Sequence, residues 1–113
     1  MVVLSTVGDS ATARRIAATL VQENLAACVN VTGPIRSTYR WRGAVTTDSE
    51  RLMLIKTRSS LLSTLERRLR ELHPYEVPEI VAIELRAGSK AYLDWLIQET
   101  SGSRPTSNKS GRA

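Results

Sequence analysis

The sequence contains no phenylalanine, a single cysteine and a single histidine among its 113 residues. Because Cys28 has no second cysteine to pair with, an intramolecular disulfide is excluded, which fits a reducing compartment. No apolar run is long enough to cross a bilayer, and the N-terminus lacks the basic segment of a signal peptide. We therefore expect a cytoplasmic protein with no membrane partner and a core built mainly from aliphatic side chains.

Acidic residues are missing from the last part of the chain. This segment carries Arg104, Lys109 and Arg112 without a counter-charge, and these account for much of the net charge of +5. The rest has 13 basic and 11 acidic residues, a balance that argues against a nucleic-acid partner. We expect residues 1–99 to form one domain and residues 100–113 to be a disordered basic tail.

Several motifs that carry chemistry in small domains are also absent. The lone cysteine excludes a CxxC metal-transfer loop, and no GxxxxGK[ST] phosphate loop occurs. The stretches VVLSTV and RLMLIKTR lack the stacking aromatics of an RNA-recognition sheet. These absences leave binding sites built from scattered polar side chains as the main alternative.

The hydrophobic pattern alternates between strands and helices. Strand signals occur at VVLSTV, at ACVNV, in the two arms of a long hairpin that turns at Gly43, and at EIVAIELRA. Helix signals occur after Asp9, where Ala13, Ile16 and Leu20 share a face, in a leucine stripe that Pro74 ends, and after Ser89. The order βαββαβ plus a C-terminal helix predicts an α+β fold, the ferredoxin-like sandwich.

One strand is apolar on both faces. The run Leu52 to Ile55 has no polar residue, so neither face of this strand is suited to water. A two-layer sandwich covers only one face of its sheet with helices, and the hairpin aromatics Tyr39 and Trp41 add further apolar surface. We therefore expect another subunit to cover the second face.

The stretch LHPYEVPEI holds the only histidine, His73, between a predicted helix and a predicted strand. An imidazole at this position can be a metal ligand, a general base or a hydrogen-bonding elbow. Tyr75, Glu76 and Glu79 follow it in a loop stiffened by two prolines, which suits a site as well as a solvated loop. An enzyme would also need an activated nucleophile; Ser5 has no evident partner, so we do not expect catalysis.

Three further residues, Lys56, Tyr39 and Trp41, each allow two interpretations of their role. Lys56 is either an edge-protecting charge or a cation facing a ligand. Tyr39 and Trp41 are typical of interface packing, although they could also form a platform for a ligand.

The segments LAACVNV, YRWRG, IKTR, LHPYEVPEI and YLDWL occur in this order and spacing, and together they resemble the CutA divalent-cation tolerance family over residues 2–97. The resemblance implies a ferredoxin-like, cytoplasmic homotrimer with a PII-like shape and no established enzymatic activity. It also implies binding of copper or other divalent cations.

The resemblance carries over to a metal site only in part. Where related proteins have a proposed copper site built from a cysteine and two histidines, this chain has Ser5, Leu72 and His73, so only His73 is retained. The resemblance implies an inter-subunit cleft lined by Lys56, Tyr75, Glu76, Glu79, Tyr39 and Trp41. Two functions are therefore expected as alternatives: Cu²⁺ or another divalent cation bound at His73, or a regulatory trimer whose cleft binds a small anionic ligand or a partner protein.

Overall fold

The computed structural model describes residues 1–102 and confirms the α+β ferredoxin-like arrangement. Four antiparallel strands form one sheet in the order β2-β3-β1-β4. In chain order, the strands and α-helices are β1 Val2–Val7, α1 Ser10–Gln22, β2 Cys28–Trp41, β3 Ala44–Lys56, α2 Leu62–Leu72, β4 Val81–Ile83 and α3 Lys90–Glu99.

Helices α1 and α2 pack on one face of the sheet because each presents an aliphatic stripe to it. The side chains of β1 alternate, so that every second residue is buried against the helices. The completely buried core contains the following residues: Val3, Val7, Ala13, Ile16, Leu20, Met53, Ile55, Leu65 and Leu69. Met53 and Ile55, two of the four residues in the apolar run of β3, are therefore covered by the helices.

Among the described residues, no helix lies on the opposite face of the sheet, which is apolar around β1, β3 and β4. Register places Leu4, Leu54 and Val81 side by side on this face, and Val81 is 49% exposed. The short strand β4 also lies at the edge of the sheet, and in residues 1–102 its outer backbone groups have no strand partner. The predicted uncovered face is therefore present in the single chain.

The β2-β3 hairpin is the longest element and ends in a two-residue turn. Arg42 and Gly43 both have positive φ, 52° and 83°, as a type I′ turn requires. Glycine adopts this conformation without strain, and the turn pairs Trp41 with Ala44. This pairing fixes which side chains of the two arms face the same way.

The observed elements differ from the sequence prediction in two places. The last strand is only three residues long, Val81–Ile83, although the apolar pattern continued to Leu85. Thr100, the first residue of the predicted tail, is 2% exposed, and its hydroxyl donates to the Leu96 carbonyl at 2.8 Å. The packed part of the chain thus extends to Thr100. Residues 103–113, the rest of the predicted disordered tail, lie outside the described residues.

Candidate functional site

The segment that follows α2 crosses the sheet end and meets the base of the hairpin. Helix α2 ends at Leu72 because the next residue, His73, precedes Pro74, and helical backbone is disfavoured for a residue before proline. His73 accordingly has an extended ψ of 134°. The His73 amide still donates to the Leu69 carbonyl at 2.9 Å. The helix end and Pro74 therefore hold the imidazole in one place beside β1.

Both nitrogens of the His73 ring are already hydrogen-bonded. Nε2 lies 2.7 Å from the Thr6 carbonyl oxygen, and Nδ1 lies 3.1 Å from the Tyr75 amide nitrogen. Because a carbonyl only accepts and an amide N–H only donates, Nε2 carries the proton and Nδ1 accepts. The residue is only 6% exposed. In this arrangement neither nitrogen has a lone pair free for a metal ion.

A cavity of about 600 Å³ lies between the hairpin and the segment after His73. Its walls include three aromatic side chains, three carboxylates and two threonines. The lining residues are Thr6, Ser37, Thr38, Tyr39, Trp41, Glu50, Tyr75, Glu76, Val77 and Glu79. The lining contains no lysine or arginine, so its formal charge is negative.

Glu50 is the most buried of these carboxylates, with 6% of its surface exposed. The Tyr75 hydroxyl donates to Glu50 Oε2 at 2.7 Å. Burial, and next the hydrogen bond to this carboxylate, raise the pKa of Tyr75 well above its ordinary value. Within residues 1–102, Oε1 of Glu50 has no hydrogen bond, and no basic side chain forms an ion pair with Glu50.

The hairpin side of the cavity has its own tyrosine–carboxylate pair. Tyr39 donates to Asp48 across the strands, and this hydrogen bond raises the pKa of Tyr39. At the hairpin tip, Arg42 forms an ion pair with Glu76 at 3.0 Å and lies 5.3 Å from the Trp41 ring centroid. The Arg42–Glu76 pair is about 70% exposed on both sides, so it contributes little stability.

The structure brings most of the predicted cleft residues together and separates one of them. Tyr39, Trp41, Tyr75, Glu76 and Glu79 all line the cavity. Lys56 does not, because it pairs with Val2 and Cys28 at the other end of β3. It is six residues from Glu50, about 20 Å along an extended strand. Within one chain, Lys56 therefore cannot serve this cavity.

The three positions of the predicted copper site do not form a set of metal ligands within one chain. Ser5 lies on the helix-covered face of β1 and is 0% exposed, with no hydrogen-bond partner for its Oγ. Leu72 packs against the core, and both His73 nitrogens are engaged. In residues 1–102 no group of three or more His, Cys, Asp or Glu side chains is arranged to hold a metal ion.

Glu50 and Thr6 were missed by the sequence analysis, although hairpin register contains a signal for Glu50. A two-residue turn at Arg42 and Gly43 pairs Ile35 with Glu50. Residues at even spacing along a strand share a face, so Glu50 belongs on the same face as Tyr39 and Trp41. Thr6 contributes through its backbone carbonyl, and sequence carries no signal for that role.

The comparisons with known proteins agree with one another. A family model described as CutA1 divalent ion tolerance protein matches residues 1–99. A divalent-cation tolerance protein CutA from Thermus thermophilus is 50% identical over 99 residues, which are 88% of this chain and 96% of the relative. A solved Cut A1 structure from that organism is 49% identical, covers 88% of this chain and 96% of its own, and has a TM-score of 0.86.

Two other solved structures differ in how they are described. A PII-like protein CutA from Nostoc is 37% identical, with a TM-score of 0.82 and coverage of 88% of this chain and 95% of that one. A protein from Archaeoglobus fulgidus, described as a periplasmic divalent cation tolerance protein, is 34% identical, with a TM-score of 0.85 and coverage of 88% and 96%.

Proposed function

This chain belongs to the CutA1 divalent ion tolerance family, and we propose that it serves divalent-cation tolerance as a homotrimer that binds the cations directly. Support for an oligomer comes from the uncovered apolar face of the sheet and from the exposed edge strand β4. A trimer is favoured over other assemblies by the likeness to a PII-like protein. The cavity at the hairpin base would then lie in or beside the cleft between subunits.

The observation that carries the cation proposal is the buried Glu50 carboxylate. A carboxylate that is removed from water is costly unless a positive charge or several donors stabilise it. Glu50 has one tyrosine hydroxyl as its partner, and Glu76 and Glu79 line the same cavity. A bound cation would supply the missing positive charge.

The cation is placed at these carboxylates rather than at His73. Binding a metal to either imidazole nitrogen would break a backbone hydrogen bond to Thr6 or Tyr75 in a buried environment, which opposes coordination. Carboxylate oxygens can bind both Cu²⁺ and harder divalent ions. Cu²⁺ is therefore a suitable probe for a cation site built from carboxylates. Because the carboxylates of one chain do not converge, waters or the neighbouring subunit would complete the coordination.

The acidic lining argues against the small anion considered as an alternative ligand. The side chains that could donate to such an anion are Lys56, His73 and Tyr75. Lys56 is distant, the two His73 nitrogens are engaged, and the Tyr75 hydroxyl already donates to Glu50. A cavity with a negative lining repels an anion. Binding of a partner protein in the cleft stays a prediction.

The proposal assigns a binding role and not a catalytic one. Ser5, the hydroxyl considered as a nucleophile, is buried in the core, and His73 contacts neither Glu76 nor Glu79 through a hydrogen bond. We place the protein in the cytoplasm because Cys28 is a free thiol. In residues 1–102 no helix is both long and apolar enough to span a membrane.

A calorimetric Cu²⁺ titration of the full chain tests the metal proposal. Glu50→Gln is expected to raise the Kd by about tenfold or more, because it removes the buried charge that a cation would balance. Glu66→Gln serves as the control, since Glu66 is a surface carboxylate of α2 that pairs with Arg70 and should leave the affinity unchanged. Equal affinities for wild type and Glu50→Gln would contradict binding at the cavity.

A further inference from the structure

The cavity has more room than a metal ion needs. At about 600 Å³ it falls in the range of small-molecule sites, and in residues 1–102 no three ligating side chains converge, so a metal ion there would need waters or the neighbouring subunit to complete its coordination. Its carboxylates are distributed around the walls. Distributed negative charge suits a cation whose own charge is spread over a larger body.

The remaining walls are aromatic. Tyr39 and Trp41 on the hairpin are each 41% exposed, and Tyr75 on the opposite side is 38% exposed, so their rings are accessible in the single chain. Aromatic faces attract organic cations, especially quaternary ammonium groups, when the cation lies within about 6 Å of the ring centroid. Arg42, the next residue in the chain, already lies over the Trp41 ring at 5.3 Å from its centroid, so a cationic ligand would contact the other face of this ring.

Glu50 supplies the charge that selects for such a ligand. Its Oε2 is bonded to Tyr75, while Oε1 has no hydrogen bond in the part of the chain that the structure describes. The residue is 94% buried and yet lines the cavity. In residues 1–102 this carboxylate has a tyrosine hydroxyl as its hydrogen-bond partner but no ion pair, and a carboxylate of this kind in an aromatic cavity favours an ammonium group over a neutral one.

We propose that this cavity binds an organic ammonium compound between Tyr39, Trp41 and Tyr75, with Glu50 as the counter-charge. The inference uses the cavity of the proposed function but goes beyond its metal. A metal ion would depend on the carboxylates alone, whereas an organic ammonium ion would depend on the carboxylates and the aromatic rings. The two ligand classes are therefore separated by substitutions of the rings.

The test uses choline and its neutral carbon isostere, 3,3-dimethylbutan-1-ol, in calorimetric titrations of the full chain. Wild type is expected to bind choline at least about tenfold more tightly than the isostere, because only choline carries the charge. Trp41→Leu should weaken choline binding by roughly 5- to 30-fold, which is a larger loss than for Cu²⁺, because the metal ion depends on the carboxylates. Glu50→Gln should weaken both ligands, and the surface control Glu66→Gln should weaken neither.

Each outcome has a definite meaning. Cu²⁺ binding without choline binding, or choline binding that Trp41→Leu does not change, would overturn this inference and leave the proposed function standing. Choline binding without Cu²⁺ binding would overturn the proposed metal-binding function and leave this inference standing. If wild type binds no choline and Glu50→Gln dissociates the oligomer, a basic side chain of the neighbouring subunit occupies the cavity, and the inference is wrong.

Discussion

Replacing Val81 with lysine is expected to dissociate the proposed homotrimer into monomers. Val81 lies on β4, on the sheet face that carries no helix, and its register partner Leu4 continues the apolar surface towards Leu54. In a trimer that covers this face, the lysine ammonium group would be buried without a partner, at a cost of several kcal/mol. Light scattering after size exclusion should show the mass falling to about one third of the wild-type value.

The matched control for this change is Val21→Lys. Val21 is also an exposed valine, at 40% against 49% for Val81, but it lies on α1 on the other side of the molecule. The control should keep the wild-type mass, since a surface substitution outside an interface has little effect. A monomeric wild type, or a Val81→Lys variant with an unchanged mass, would contradict assembly through this face.

Replacing His73 with alanine is expected to destabilise the fold and to spare cation binding. The substitution leaves the Thr6 carbonyl and the Tyr75 amide without their partners in a region where His73 is 6% exposed. Each buried group left unpaired costs about 1–3 kcal/mol, so the loss of both partners should lower the free energy of unfolding by about 2–6 kcal/mol. Urea denaturation at a fixed protein concentration measures this difference, because an oligomer's stability depends on concentration.

Glu76→Ala provides the comparison within the same segment. The Glu76 side chain is 71% exposed, and its ion pair with Arg42 is at the surface, so its loss should change the unfolding free energy by less than about 0.5–1 kcal/mol. A His73→Ala variant as stable as Glu76→Ala would show that the two imidazole hydrogen bonds contribute nothing. A folded His73→Ala trimer that has lost Cu²⁺ binding would instead restore His73 as a ligand.

The fold was predictable because its signals are local. β-branched residues mark β1 over the residues observed, Val2–Val7, and a turn glycine marks the hairpin tip. The C-terminal end of β4 was not predictable, because it depends on where the partner strand begins. In residues 1–102, β4 pairs with residues 2–4 of β1, and its last residue pairs with the first residue of β1. The apolar pattern to Leu85 continues past the last paired residue.

The candidate site was predictable only as a set of nearby residues. The motif LHPYEVPEI and the hairpin aromatics indicated a cleft, and the structure places five of the six predicted cleft residues around one cavity. The role of His73 was not predictable, since it depends on a carbonyl of β1 that lies 67 residues away in sequence. Lys56 lies away from this cavity within one chain, at the last residue of the 13-residue strand β3, and its predicted place in a cleft between subunits stays a prediction.

The central claim is that His73 is a structural residue and that cations bind at the carboxylates instead. The most direct test is a long-range ¹H–¹⁵N NMR spectrum of the only imidazole in the chain, recorded with and without Zn²⁺ as a diamagnetic probe. We predict a protonated Nε2 and a bare Nδ1, with both signals unchanged when Zn²⁺ saturates the protein. A Zn²⁺-dependent shift of either nitrogen to the position of a metal-bound imidazole would contradict the account.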